Sequence, residues 1–128
     1  MGMSLLLAGV LCVSAPAPED PTVRRLVEAL KDTDFEVRQN VAAALAKAGR
    51  QAVEPLREAL KDRSVERRAG AAYTLGLLGE AGRPALAELL DALSDPEVEV
   101  RRQVSFAIGR VMPVGRLKLA ERATGGPR

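Results

Sequence analysis

VRRLVEALKDTDFEVRQNVAAALAKAG, residues 23–49, is followed by VEPLREALKDRSVERRAGAAYTLGLLG, residues 53–79. Laid over one another at an offset of 30, they decide the fold. Twelve of the 27 aligned positions are identical: Val, Leu, Glu, Ala, Leu, Lys, Asp, Glu, Arg, Ala, Leu and Gly. A third copy begins at Leu86, offset by a further 33, and keeps nine of the 27 residues of the first; its three extra residues fall between Glu80 and Pro84, at a turn. Self-similarity at such a period marks an array of one supersecondary unit.

Each copy divides into two apolar-periodic pieces. The first carries Val23, Leu26 and Leu30, then Val53, Leu56 and Leu60, then Leu86, Leu89 and Leu93. That i, i+3, i+7 spacing is one stripe of a short helix. The second piece carries Val37, Val41, Ala44, Leu45 and Ala48 in copy one, and Val100, Val104, Ala107, Ile108 and Val111 in copy three. Copy two has Arg67 and Thr74 at two of these places, which predicts a narrower stripe. Between the pieces lie Asp32-Thr33-Asp34, Asp62-Arg63-Ser64 and Ser94-Asp95-Pro96. These are turn and N-cap residues, with Pro96 suited to a first helical position and Gly49 and Gly79 suited to ending the second helices. Period-two alternation is absent. The reading is all-α: a short solenoid of about three helical hairpins, with copies at 21–50, 51–80 and 84–112. One hairpin of this size cannot bury both its faces, whereas stacked copies bury a continuous seam.

The motif Asp-x-x-x-x-Val-Arg before an Ala-rich helix ending Ala-Leu-Gly resembles the HEAT-repeat family. The copies read Asp32 to Arg38 with Ala43 to Leu45, Asp62 to Arg68 with Thr74 to Gly76, and Asp95 to Arg101 with Ala107 to Gly109. The period of about thirty is similar to the shorter bacterial variety related to phycobilisome-lyase-type repeats. The resemblance implies an armadillo/HEAT-like superhelix whose second helices line the concave side, and structural roles for the motif residues. Asp32, Asp62 and Asp95 would accept backbone amides at the turns, and Arg38, Arg68 and Arg101 would reach carboxylates in the same or the adjacent copy. It also implies a protein partner held on that concave side.

Composition narrows the chemistry. The chain of 128 residues has no His, no Trp, one Cys (Cys12) and three aromatics, Phe35, Tyr73 and Phe106. Zinc and iron sites draw on His and Cys, leaving only carboxylates here, and these follow no EF-hand spacing. Nor can His-dependent triads form. Ser64 and Ser105 have no Lys three residues on, and Gly76 to Gly82 lacks the Lys-Ser/Thr of a phosphate loop. The expectation is a non-catalytic chain with no metal and no cofactor. A net charge of +2 does not point to nucleic acid, although Arg110 to Arg128 holds five bases and one acid. An accessory or lyase-like component handling a small ligand, and a nucleic-acid-associated repeat, are the alternative readings.

A partner site is sought on the part of the second helices that the core stripes leave unclaimed. Steps of i, i+4, i+7 and i+11 give Glu36, Asn40, Ala43, Lys47; Glu66, Gly70, Tyr73, Leu77; and Glu99, Gln103, Phe106, Arg110. The candidate surface is Glu66, Tyr73, Leu77, Glu99, Gln103, Phe106 and Arg110. Tyr73 and Phe106 are equally suited to a hydrophobic binding patch and to joining neighbouring copies.

The ends read differently. Met3 to Ala15 is apolar and too short to span a bilayer as a helix. It suits the core of a secretory signal, with small residues for cleavage near Ala15 or Ala17, and hence an exported protein. The alternatives are an apolar lead-in covering the exposed end of the fold, or a misassigned start; a cytoplasmic location follows from either. Residues 1–20 are thus an apolar leader and Pro-rich linker. Residues 113–128 hold Val114, Leu117 and Ala120 at helical spacing, then a Gly- and Pro-rich basic tail.

Overall fold

The computed structural model describes residues 20–112. The leader, the possible cleavage site, Cys12 and the terminal helix with its basic tail lie outside the described residues.

Helix α1, Pro21–Ala29, begins where the Asp20 side chain accepts the Thr22 amide at 2.8 Å, with Pro21 in the first turn, where a missing N–H costs nothing. After a turn, α2 spans Phe35–Ala48; its N-cap Asp34 accepts the amides of Glu36 at 2.8 Å and Val37 at 3.5 Å. The second copy repeats this plan. A 3-10 turn, Gly49–Ala52, leads into α3, Val53–Ala59, and Ser64 caps α4, Val65–Leu78, by accepting the Arg67 amide at 3.2 Å. In the third copy a longer 3-10 segment, Gly79–Ala85, takes up the extra residues before α5, Leu86–Asp91. The short turn Ala92–Ser94 then precedes α6, Val98–Val111. Among the described residues there is no strand.

Gly49 and Gly79 end α2 and α4 with φ of 68° and 59°, and they are the described residues with positive φ. The ψ of −128° at Gly79 places it in a region open essentially to glycine alone. Gly79→Ala is therefore expected to cost about 1–3 kcal/mol in chemical denaturation. Pro96 departs from expectation. Helix α6 starts two residues later, and Glu97 stands at the cap without a side-chain hydrogen bond. The Asp95 carboxylate takes the Glu97 amide instead, at 3.0 Å, so the chain is still turning at Pro96.

Second helices stack α2 on α4 on α6, with α4 and α6 in contact along their length, and the first helices lie behind them. Apolar stripes from both layers meet in one core that runs through all three copies, with Leu30, Leu45, Leu56, Leu75, Leu89, Val100 and Val104 fully enclosed. Core membership differs from the predicted stripes in three ways. Val27 is buried while Leu26 is only half-buried. Val37 and Leu93, at opposite ends of the stack, are exposed. The stripe of α4 is wider than expected, not narrower: Ala69, Ala71, Ala72, Thr74, Leu75 and Gly76 are all buried, because α4 has a neighbour on each side. Thr74 is accommodated since its hydroxyl donates to the Gly70 carbonyl at 2.7 Å.

Candidate functional site

The turns between first and second helices share one arrangement. The amide two residues on donates to each motif aspartate: Asp34 to Asp32 at 2.8 Å, Ser64 to Asp62 at 3.4 Å, and Glu97 to Asp95 at 3.0 Å. Each motif arginine donates through Nη1 to the carbonyl of its own aspartate, at 2.6 Å for Arg38, 2.9 Å for Arg68 and 2.7 Å for Arg101. Arg68 goes further and crosses to the next copy. Its Nε donates to Asp95 Oδ2 at 2.9 Å and its Nη2 to Oδ1 at 3.2 Å, a two-pronged clasp with both side chains nearly buried. Burial alone would raise the Asp95 pKa, and it is the largest influence on that group. The hydrogen bond from Arg68, the Glu97 amide and the charges of Arg68 and Arg101 together outweigh it and hold the carboxyl below the ordinary range.

Arg38 makes no such clasp. Asp62 pairs instead with Arg67, Nη1 to Oδ1 at 3.3 Å, and Arg67 Nη2 reaches Glu28 of the first copy at 2.8 Å. Asp62 also titrates below the ordinary range; burial, which opposes this, is outweighed by the Ser64 amide and the Arg67 charge. Among the described residues Arg101 meets no carboxylate. A further cross-copy tie joins Arg57 to Glu88, with Nε to Oε1 at 2.9 Å. The Arg57 hydrogen bond lowers the Glu88 pKa despite burial. The signals for Arg67 and Arg57 were present in the sequence, as charged residues where copies one and three are apolar (Val37, Val100; Val27, Leu90), but each has one partner, Glu28 and Glu88 respectively, in another copy.

On the face of the second helices, the side chains of the candidate columns fall into three groups. Glu36 and Glu66 are exposed and Glu99 half-buried, each second in its helix, where negative charge is favoured by the helix dipole. Ser64 donates to Glu66 at 3.2 Å, and Glu99 accepts from Gln103 and Arg102, both at 2.8 Å. In the middle, Tyr73 and Phe106 stack with ring centroids 5.7 Å apart and planes 24° off parallel. The Tyr73 hydroxyl donates to Gln39 Oε1 at 3.2 Å, so Gln39, Tyr73 and Phe106 form a line across all three copies. One edge of Phe106 lies over Gly76, where a β-carbon would come within 2.6 Å of the ring; only glycine leaves room for it. Phe106 nevertheless stays 40% exposed and Leu77 beside it 36%, with Arg110 exposed at the helix end. The rings thus join neighbouring copies, and Phe106 keeps apolar surface exposed.

Beside the stack a groove of about 290 Å³ opens between α2, α4 and α6, lined in part by Arg38, Gln39, Glu66, Tyr73, Glu99 and Gln103. It brings four of the candidate residues together; Leu77, Phe106 and Arg110 lie outside its lining. Among the described residues no group of three or more His, Cys, Asp or Glu is placed to hold a metal ion. Among them, too, no helix is long and apolar enough to cross a membrane. A family model for HEAT repeats matches residues 23–109. Comparison with curated proteins returns no match.

Proposed function

Because the chain belongs to the HEAT-repeat family, whose members generally mediate protein–protein interaction and are generally non-catalytic, we propose that it is a binding module that holds a protein partner on the face of its second helices. The observation that carries this reading is the exposed apolar surface of Phe106, held by its stack on Tyr73, which also lines the groove, with Leu77 exposed one turn beyond Tyr73 on α4. Aromatic side chains with a rigid setting are effective anchors, since little conformational freedom is lost when they are covered. The polar rim of Glu66, Glu99, Gln103 and Arg110 supplies direction to the contact and little of its energy. Stacked hairpins offer this surface already ordered, so the partner bears most of the ordering cost.

The test replaces Phe106 by a photo-crosslinking phenylalanine derivative and compares it with the same group at Glu58, an exposed position on α3. Adducts to a defined protein are expected from position 106 and not from position 58. Equal labelling from both, or none from either in the native cell, contradicts the proposal.

A further inference from the structure

Among the described residues the stack is open at both ends, in a way that its own repeat explains. Leu90, Leu93 and Arg101 of copy three occupy the places of Arg57, Leu60 and Arg68 in copy two. In copy two these places face the next copy: Leu60 is 5% exposed, Arg57 holds Glu88, and Arg68 clasps Asp95. In copy three Leu90 is 50% and Leu93 42% exposed, and Arg101 uses Nη1 for its own turn, as Arg68 does, while its other edge meets no carboxylate among the described residues. At the other end, Val37, Val41 and Ala44 occupy the places of Val100, Val104 and Ala107, which copy two buries completely. In copy one Val37 is exposed and Val41 and Ala44 are half-buried.

We propose that these two ends fit each other: a second copy of the chain docks head to tail, its first repeat continuing the stack beyond α6. The chemical match lies in the clasp. Five positions after Asp95, which takes Arg68, stands Val100; five after Asp62 stands Arg67, which pairs with Asp62, and Arg38 meets no carboxylate among the described residues. Copy one has Val37 there, so Asp32 resembles Asp95. Asp32 is exposed, its Oδ1 engaged by the Asp34 amide just as Asp95 Oδ1 is engaged by Glu97, and its other oxygen corresponds by the repeat to the one with which Asp95 takes Arg68 Nε. Arg101 of one chain and Asp32 of the next then reproduce the Arg68–Asp95 pair, with Leu93 and Leu90 covered alongside. The chain's own residues 113–128 are a poorer match for Arg101: they carry Arg116, Lys118, Arg122 and Arg128 against Glu121 alone, and no Asp. A head-to-tail contact does not close on itself as a two-fold dimer does, so it builds rings or filaments.

The experiment is sedimentation velocity on the full chain over a wide concentration series, with Arg101→Asp, Asp32→Arg and Leu93→Glu. The wild type is expected to rise from monomer to dimer and larger species with concentration. Each variant should weaken this by at least about tenfold, the two reversals through like charge across the seam and Leu93→Glu through a buried carboxylate. Mixing the Arg101→Asp and Asp32→Arg chains restores association, because each seam then joins opposite charges. Loss of fold in either variant would give no rescue on mixing, and circular dichroism of each reports it separately, leaving Leu93→Glu as the deciding variant. A wild type that stays monomeric throughout, as when residues 113–128 cover this end, or single variants that associate as the wild type does, overturns the proposal.

Discussion

Leu75→Ala is expected to destabilise the protein by about 2–5 kcal/mol, the range for emptying a fully enclosed leucine site. Leu75 lies in α4, the helix with a neighbour on each side, and is 0% exposed. Removing its side chain leaves a void at the centre of the stack. A methyl of Leu75 would come within 3.5 Å of a β-carbon at Gly82, in the connection between copies two and three, so the loss is felt across the seam and not only within one hairpin. Leu77→Ala, two residues along the same helix but 36% exposed, is expected to cost under about 1 kcal/mol. Urea denaturation of the pair, with the slope of the transition unchanged, separates burial from helix propensity, which is the same substitution in both.

Arg68→Ala is expected to cost about 3–5 kcal/mol, because it strands Asp95 with its side chain only 10% exposed and no cation in contact. Most of that cost is an unpaired buried charge, so removing the charge as well should return part of it: Arg68→Ala with Asp95→Asn is expected to be more stable than Arg68→Ala alone. The pH dependence follows from the direction of each titration. In the wild type Asp95, Asp62 and Glu88 all ionise below their ordinary range. The unfolded chain therefore binds protons first as pH falls. The stability these groups contribute is complete above the unfolded value of about 4 and is lost progressively below it. In Arg68→Ala burial is opposed only by the Glu97 amide and the Arg101 charge, so Asp95 takes up its proton at higher pH than in the wild type. The gap between variant and wild type should accordingly narrow as pH is lowered from 7 towards 4, measured by urea midpoints. A gap that widens over this range would contradict the assignment of the clasp.

Much of the fold was legible because each copy carries its own punctuation. Asp34 and Ser64 cap helices where the turn residues indicated, and Gly49 and Gly79 end them. Periodicity reports which residues share a face of one helix; it does not report whether another helix lies against that face. Val37 and Val100 are the same residue in the same register, yet one is 38% exposed and the other fully buried, because only copy three has a copy stacked against that side. Leu93 and Leu60 differ for the mirror-image reason. Thr74 misled for a chemical cause: a hydroxyl counts as polar in a stripe, but its bond to the Gly70 carbonyl lets it enter the core. Of the candidate surface, the columns of the second helices were legible from spacing alone. The Tyr73–Phe106 stack, the gap at Gly76 that seats it and the Gln39 hydroxyl partner depend on distances between copies, for which one copy's spacing holds no signal.

The three hairpins stack into one body and so create the surface, and a nuclear Overhauser spectrum of the purified chain reports that stacking. Cross-peaks are expected between the rings of Tyr73 and Phe106, joining copies two and three, and between the Leu30 methyls and the Gly70 α-protons, joining copies one and two. A spectrum rich in sequential helical contacts but lacking both of these inter-copy pairs would contradict the account.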